Sequence, residues 1–149
     1  MRFEKFLPIA HAVARLSKDP RRQVGAVAVN DDGILLAVGY NGFPRGVSDD
    51  KSRYADREVK LSLIAHAESN LVAQAAYAGH SLRGSTVLVS SKYPCSSCAK
   101  SLIQAGVKRI ITPPSDPDSS WSTDASWSEL MFKEAGVEII TSGAGRELP

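Results

Sequence analysis

Two short segments carry side chains that could do chemistry together. His66-Ala67-Glu68 puts an imidazole two residues from a carboxylate, and Pro94-Cys95-Ser96-Ser97-Cys98 holds both cysteines of the chain. Cysteines this close cannot staple a fold, which leaves a metal site or a redox pair. One helical turn can aim Cys95 and Cys98 at a single point, and His66 is available as a third ligand. Three protein ligands leave a tetrahedral Zn²⁺ with one open position, the catalytic pattern, whereas a closed structural site takes four. His11 and His80, the other histidines, stand in no ligand spacing to these and read as ordinary residues. Glu68 can reach a water on the metal without ligating it, take its proton and pass that proton to a nitrogen leaving group. Against the redox reading stand the Ser-Ser between the cysteines and the absence of an opening strand-helix-strand. His66 taken alone would be a core or surface histidine; beside Glu68 and the cysteine pair, coincidence explains it poorly.

The elements around these residues can bring them together. Phe3 to Leu16 has apolar residues at helical spacing, with Pro8 either kinking the helix or lying in its first turn. Val24 to Val29 and Ile34 to Val38 read as a hairpin about Asn30-Asp31-Asp32-Gly33. Both strands are apolar on nearly every residue, so the sheet is expected to be covered on both faces. Asn41 to Lys60 is long, polar and aperiodic, and reads as a functional loop. Helices are expected at Ala65 to Ala78, Ser96 to Ala105 and Ser126 to Ala135, each stopped by a glycine. Strands follow at Thr86 to Val89, Val107 to Ile111 and Val137 to Ile140. Pro113 to Ser122 reads as a second loop and Ser142 to Pro149 as a frayed tail. This alternation predicts an α/β domain spanning 1–149, with a central mixed sheet flanked by helices. His66 and Cys95 then open successive helices at one sheet edge, where orphan N–H groups and partial positive charge favour thiolate and hydroxide.

Composition limits the partners. The 149 residues are 43% hydrophobic and 23% charged, with 11 Gly and 8 Pro, which excludes collagenous, disordered and coiled-coil chains. No stretch approaches the roughly 20 apolar residues of a membrane span. Met1-Arg2-Phe3-Glu4-Lys5 begins no signal peptide, so a cytoplasmic protein is expected. Lys plus Arg number 18 and Asp plus Glu 16, a net charge of +2. That balance suits a small anionic ligand better than a polymeric nucleic acid. Trp121 and Trp127 read as packing residues or, given the loop between them and the sheet, as ligand stackers.

The sequence resembles the deoxycytidylate (dCMP) deaminase branch of the zinc-dependent cytidine deaminase superfamily. His66-x-Glu68 with Pro94-Cys95-x-x-Cys98 is the superfamily's zinc signature. Lys18-Asp19-Pro20, Gln23 to Val27, Gly39-Tyr40-Asn41-Gly42-Phe43-Pro44-Arg45-Gly46, Ser69-Asn70 and Ile103 to Val107 extend the match, and the Gly39 to Gly46 block points to the deoxycytidylate branch. The resemblance implies a three-layer α-β-α sandwich with a five-stranded mixed sheet. His66, Cys95 and Cys98 would hold Zn²⁺ and Glu68 would shuttle protons while zinc-bound hydroxide attacks C4, converting dCMP, or a 5-substituted dCMP, to the uracil nucleotide and ammonia. Asn41 would bond the sugar, and the Ala67 N–H with the Tyr93-Pro94 turn would grip the pyrimidine edge. The resemblance also implies a homohexamer switched by dCTP and dTTP through Gly39, Tyr40 and Gly42. For the 5′-phosphate, Arg21, Arg22, Arg45, Lys51, Arg53 and Arg57 are the available cations, and Arg21 and Arg45 are preferred for their position near the strand ends.

The chain departs from this pattern after Ile111. Thr112-Pro113-Pro114-Ser115-Asp116-Pro117-Asp118 holds no ring to stack on the base. Either Trp121 folds back as the platform, or the pocket is wider and admits a 5-substituted dCMP. The rival readings are a deaminase of another nucleoside, nucleotide or tRNA base, and a non-catalytic nucleotide-binding zinc protein. Glu68 separates the last, because a binder needs no proton shuttle.

Overall fold

A computed structural model describes residues 2–143. A single 3₁₀ turn at Glu4–Phe6 leads into α1 (Leu7–Ala14), and Pro8 sits in that helix's first turn, where its missing N–H costs nothing. Then come β1 (Gly25–Val29), β2 (Leu35–Tyr40), α2 (Lys51–Ala55), α3 (Arg57–Leu63), α4 (Ala67–Ala78) and β3 (Thr86–Val89). The chain continues through α5 (Ser96–Gln104), β4 (Arg109–Thr112), α6 (Ser122–Glu134) and β5 (Glu138–Thr141). The strands form one sheet in the order β2-β1-β3-β4-β5. β1 pairs antiparallel with both β2 and β3, while β3, β4 and β5 run parallel.

Period-two alternation splits the strand side chains between two cores. Ala26, Ala28, Val87, Val89 and Ile110 pack against Leu71 and Ala75 of α4, Leu102 of α5 and Phe132 of α6. Val27, Val29, Leu88 and Ile111 pack against Phe3 and against Ala10 and Val13 of α1. Helices therefore cover both faces, giving the expected three-layer α-β-α sandwich. Two glycines set the layer spacing. A Cβ on Gly25 would lie 2.2 Å from the Ala10 carbonyl oxygen of α1, and one on Gly39 would lie 2.4 Å from both the Ala67 carbonyl oxygen and the Leu71 nitrogen of α4. Helix α4 ends on Gly79 at φ +75°, the left-handed stop its sequence suggested.

Two expectations need correction. The segment 41–60 is not structureless: it contains α2 and most of α3. These helices escaped periodicity because they are short and bury little, only Tyr54 of α2 reaching full burial. A ring contact and a local cap hold them instead. The Tyr54 ring stacks on Phe43 with centroids 4.3 Å apart, and Asp56 caps α3 by accepting from the Val59 N–H at 3.1 Å. Helix α6 begins at Ser122 rather than Ser126, taking in the last residue assigned to the second loop and the three unassigned residues after it. The expected fraying of Ser142 to Pro149 lies, from residue 144 on, outside the described residues. Among the described residues no helix is long and apolar enough to cross a membrane.

Candidate metal centre and substrate cleft

His66 is the N-cap of α4 and Cys95 the N-cap of α5, with Cys98 in the first turn of α5. Strand β3 lies between these helices in the chain and fixes both N-termini at one end of the sheet. His66 Nδ1 is 3.3 Å from Cys95 Sγ and 3.5 Å from Cys98 Sγ. Tetrahedral zinc, with bonds of about 2.3 Å to sulfur and about 2.0 Å to nitrogen, requires N···S edges of about 3.5 Å. All three ligand atoms lie within 4.8 Å of one another, and among the described residues no other group of three such side chains is so placed. The residues present fit Zn²⁺ with a coordination position left over.

Hydrogen bonds shape the electrostatics. Bonding from the Cys98 thiol and from His66 brings the Cys95 thiol down to about 4, despite partial burial. The same pairing, with burial and the Glu68 charge, pushes Cys98 up. Hydrogen bonding to Cys95 raises His66. A divalent cation would take the place of the shared protons and favour thiolate at both sulfurs. Glu68 is buried at 5% exposure, and burial pushes its carboxyl up against the pull of His66. Ser69 Oγ lies 3.5 Å from Cys98 Sγ. Asn70 Nδ2 donates to the Tyr40 carbonyl at 2.7 Å, clasping α4 onto the end of β2.

A cleft of about 380 Å³ opens over this centre. Of the anticipated residues, Arg21, Asn41, His66, Ala67, Glu68, Tyr93, Cys95 and Trp121 line it. Asn41 is already engaged: Oδ1 accepts from the Val24 N–H at 2.9 Å and Nδ2 donates to the Arg22 carbonyl at 2.8 Å. What remains for a ligand is the second lone pair of Oδ1. Tyr93 is pushed up to about 12 by burial and stays neutral. Trp121, half exposed, forms a wall, with Lys92 Nζ 4.7 Å from its ring centroid. Pro94 faces a second cavity of about 390 Å³, which shares Arg22, Lys92, Tyr93, Cys95 and Trp121 with the cleft.

Arg45 lies outside the cleft. Its guanidinium sits 4.0 Å from the centroid of the Tyr77 ring and donates to Gln74 at 3.2 Å, so the turn after β2 directs it onto α4 rather than inward. Gly39 and Gly42 contribute backbone geometry: Gly39 lets α4 approach, and Gly42 exchanges two hydrogen bonds with Ala65, next to His66. Tyr40 is 39% exposed beside them.

Sequence reading missed two cations of the cleft, Lys60 of α3 and Lys92. Arg57 of α3 and Arg22, counted among the available phosphate donors but not preferred, join them there. Lys60 Nζ pairs with the buried Asp19 carboxylate at 2.7 Å. Burial pushes Asp19 up, but bonds from Lys60 and from the Arg21 and Arg22 N–H groups outweigh it and hold the carboxyl below its ordinary range. The Lys18-Asp19-Pro20 match was the available signal for Asp19; Lys60 and Lys92 had none beyond their charge.

Comparisons with known proteins agree with this geometry. The cytidine and deoxycytidylate deaminase zinc-binding region, as a family model, matches residues 1–113. The deoxycytidylate deaminase of Mus musculus is 38% identical over 139 residues, covering 90% of this chain and 75% of its own length. An uncharacterised deaminase of Aliivibrio fischeri is 37% identical over 138 residues, covering 91% of this chain and 90% of its own. The crystal structure of the dCMP deaminase from cyanophage S-TIM5 in complex with dCMP and dUMP superposes with a TM-score of 0.73 at 25% identity, over 93% of this chain and 95% of the other.

Proposed function

The chain belongs to the cytidine and deoxycytidylate deaminase family, and we propose that it hydrolyses dCMP to dUMP and ammonia. The observation that carries this reading is the His66–Cys95–Cys98 triad beside a buried carboxylate, at the floor of a cleft edged with arginines. Zn²⁺ held there supplies the Lewis acidity that makes hydroxide available near neutral pH. Glu68 receives the proton released by the attacking water and delivers it to the departing 4-amino nitrogen. Its burial keeps bulk water from competing for that proton. The first-turn N–H of Ala67, an orphan donor of α4, faces the N3–O2 edge of the base. Asn41 Oδ1 accepts from a sugar hydroxyl, and the Trp121 ring flanks the base. Arg21, Arg22 and Arg57 supply the donors for the 5′-phosphate.

A 5-substituted dCMP is favoured as a second substrate by the cavity beyond Lys92 and Trp121. C5 and N3 flank C4 on opposite edges of the ring. With N3 toward α4, C5 points to the wall of Lys92, Tyr93 and Cys95 that the cleft shares with that cavity. The reading takes 1–149 as one deaminase domain, at work in the cytoplasm on a small nucleotide. It includes a homohexamer and regulation by dCTP and dTTP near Gly39, Tyr40 and Gly42, supported by resemblance within the family.

An ultraviolet assay against cytidine, deoxycytidine, CMP, dCMP, 5-methyl-dCMP and dCTP, each with and without chelator, tests the reading. Chelator-sensitive loss of dCMP supports it. Binding of dCMP with no turnover, dCTP present as effector, would replace it with a nucleotide-binding zinc protein. Rejection of 5-methyl-dCMP alongside rapid loss of dCMP removes only the second substrate.

A further inference from the structure

The turn that carries both cysteines is held from outside its own helix. Within α5 the Cys95 Sγ accepts from the Cys98 N–H at 3.4 Å, a weak cap that leaves the Ser96 N–H and hydroxyl unused. Both go to Asp124 in the first turn of α6: Ser96 N donates to Oδ2 at 2.8 Å and Ser96 Oγ donates to Oδ1 at 2.6 Å. Two bonds to the two oxygens of one carboxylate fix Ser96 in direction as well as distance, and it lies between the proposed ligands Cys95 and Cys98. We infer that Asp124 is a positioning residue for the metal centre, holding the Cys95–Cys98 turn in its ligating geometry from the neighbouring helix.

Three observations support this. The bonds are short, as expected of a carboxylate acceptor, and their strength exceeds that of neutral pairs. Hydrogen bonding from Ser96 holds the Asp124 carboxyl below its ordinary range, with Lys100 and Lys92 adding to the effect. The anion also lies at the positive end of α5, whose first turn is the part of a helix most prone to fray. Helix α6 thus performs two tasks at the site, presenting Trp121 to the cleft at its start and clasping the cysteine turn one turn later.

The inference rests on the zinc reading, and its test separates the two. Zn²⁺ affinity is measured by chelator competition on wild type, Asp124→Ala, Asp124→Asn, Ser96→Ala and the Asp124→Ala/Ser96→Ala double variant. Melting of the metal-free proteins and the thiolate-to-metal absorption of the Co²⁺ forms are recorded beside it. Loss of an outer-shell partner weakens metal binding by about 10- to 100-fold, and Asp124→Ala is expected in that range with an altered Co²⁺ spectrum. Asp124→Asn keeps one acceptor oxygen and recovers part of the loss. Ser96→Ala loses less than Asp124→Ala, and the double variant is no weaker than Asp124→Ala alone. Ser126→Ala, which removes a hydroxyl bonded only within α6, leaves affinity unchanged. If Asp124→Ala lowers the metal-free melting temperature but binds Zn²⁺ within twofold of wild type, Asp124 merely fastens α6 and the inference is overturned. Should that variant not fold, unchanged affinity in both Asp124→Asn and Ser96→Ala overturns it equally. A wild-type protein that binds no Zn²⁺ overturns the zinc reading instead.

Discussion

Replacing Glu68 with Gln isolates the proton transfer from everything else the site does. The side chain is nearly isosteric, and Glu68 is not among the three ligand groups, so zinc content and nucleotide binding are expected to persist. A positioned acid–base group contributes about 10²- to 10⁴-fold to rate. Two features argue for the upper end here. The carboxyl is 5% exposed, so bulk water cannot replace it, and the same group both takes the proton from water and returns it to nitrogen. A kcat lower by about 10⁴-fold corresponds to about 5 kcal/mol at about 1.36 kcal/mol per decade. KM for dCMP should move little, because the lost interaction belongs to the transition state. Stability supplies an independent sign. Burial raises the Glu68 carboxyl above its ordinary 4.5 in the metal-free protein. Its contribution is therefore complete below that value and is lost as pH rises through the raised one. Metal-free Glu68→Gln should accordingly melt at or above wild type at pH 8, the advantage shrinking on acidification. Saturating ultraviolet kinetics, zinc released to a colorimetric chelator, and melting curves at two pH values check all three. A kcat within tenfold of wild type, or zinc lost with the carboxylate, would refute the assignment of Glu68 as the shuttle.

Other perturbations address the frame around the centre. Gly39→Ala places a methyl against the backbone of α4, with atoms 2.4 Å away that cannot rotate aside. It should destabilise by about 3 kcal/mol or more, measured in urea, and weaken Zn²⁺ binding by displacing His66. Lys60→Met leaves the buried Asp19 carboxylate without its 2.7 Å partner and should cost on the order of 3 kcal/mol. Because the Asp19 carboxyl is held below 3.8, its contribution is complete above that value and is lost as pH falls through the lowered one. Asp19→Asn should therefore narrow its stability gap to wild type in acid titrations below about pH 4. Trp121→Ala should raise KM for dCMP about tenfold or more, in keeping with the roughly 1–3 kcal/mol of base stacking on an aromatic ring. Arg57→Ala should raise that KM by a similar factor while leaving deoxycytidine unaffected, and Arg45→Ala should change neither.

The metal centre was legible in the sequence because its chemistry is local. Cys95 and Cys98 are one helical turn apart, His66 and Glu68 two residues apart, and each pair opens an Ala- or Ser-containing helix with a glycine near its end. Strands apolar on nearly every residue likewise announced the two-faced burial of the sheet, since helices on both faces exclude solvent from successive residues and not only from every other one. The resemblance carried by the Gly39 to Gly46 block added the branch of the family. What lay beyond the sequence depends on contacts between distant segments. Helices α2 and α3 carry little periodicity because Phe43 stacking and the Asp19–Lys60 pair hold them, and so Lys60 went unseen and Arg57 stood out only as one candidate phosphate donor among several. The amide of Asn41 offered hydrogen bonds to any partner, and only the packed fold committed it to Val24 and Arg22. Arg45 carried the same charge as Arg21, but a turn sent it onto Tyr77. Asp124 became a partner of the cysteine turn because α5 and α6 pack side by side, 28 residues apart in the chain. Residue types and short spacings determined which chemistry this protein can hold. Which charges face the cleft, and what keeps the ligands in place, was decided by the tertiary structure, because side-chain direction is set by packing and not by neighbours in sequence.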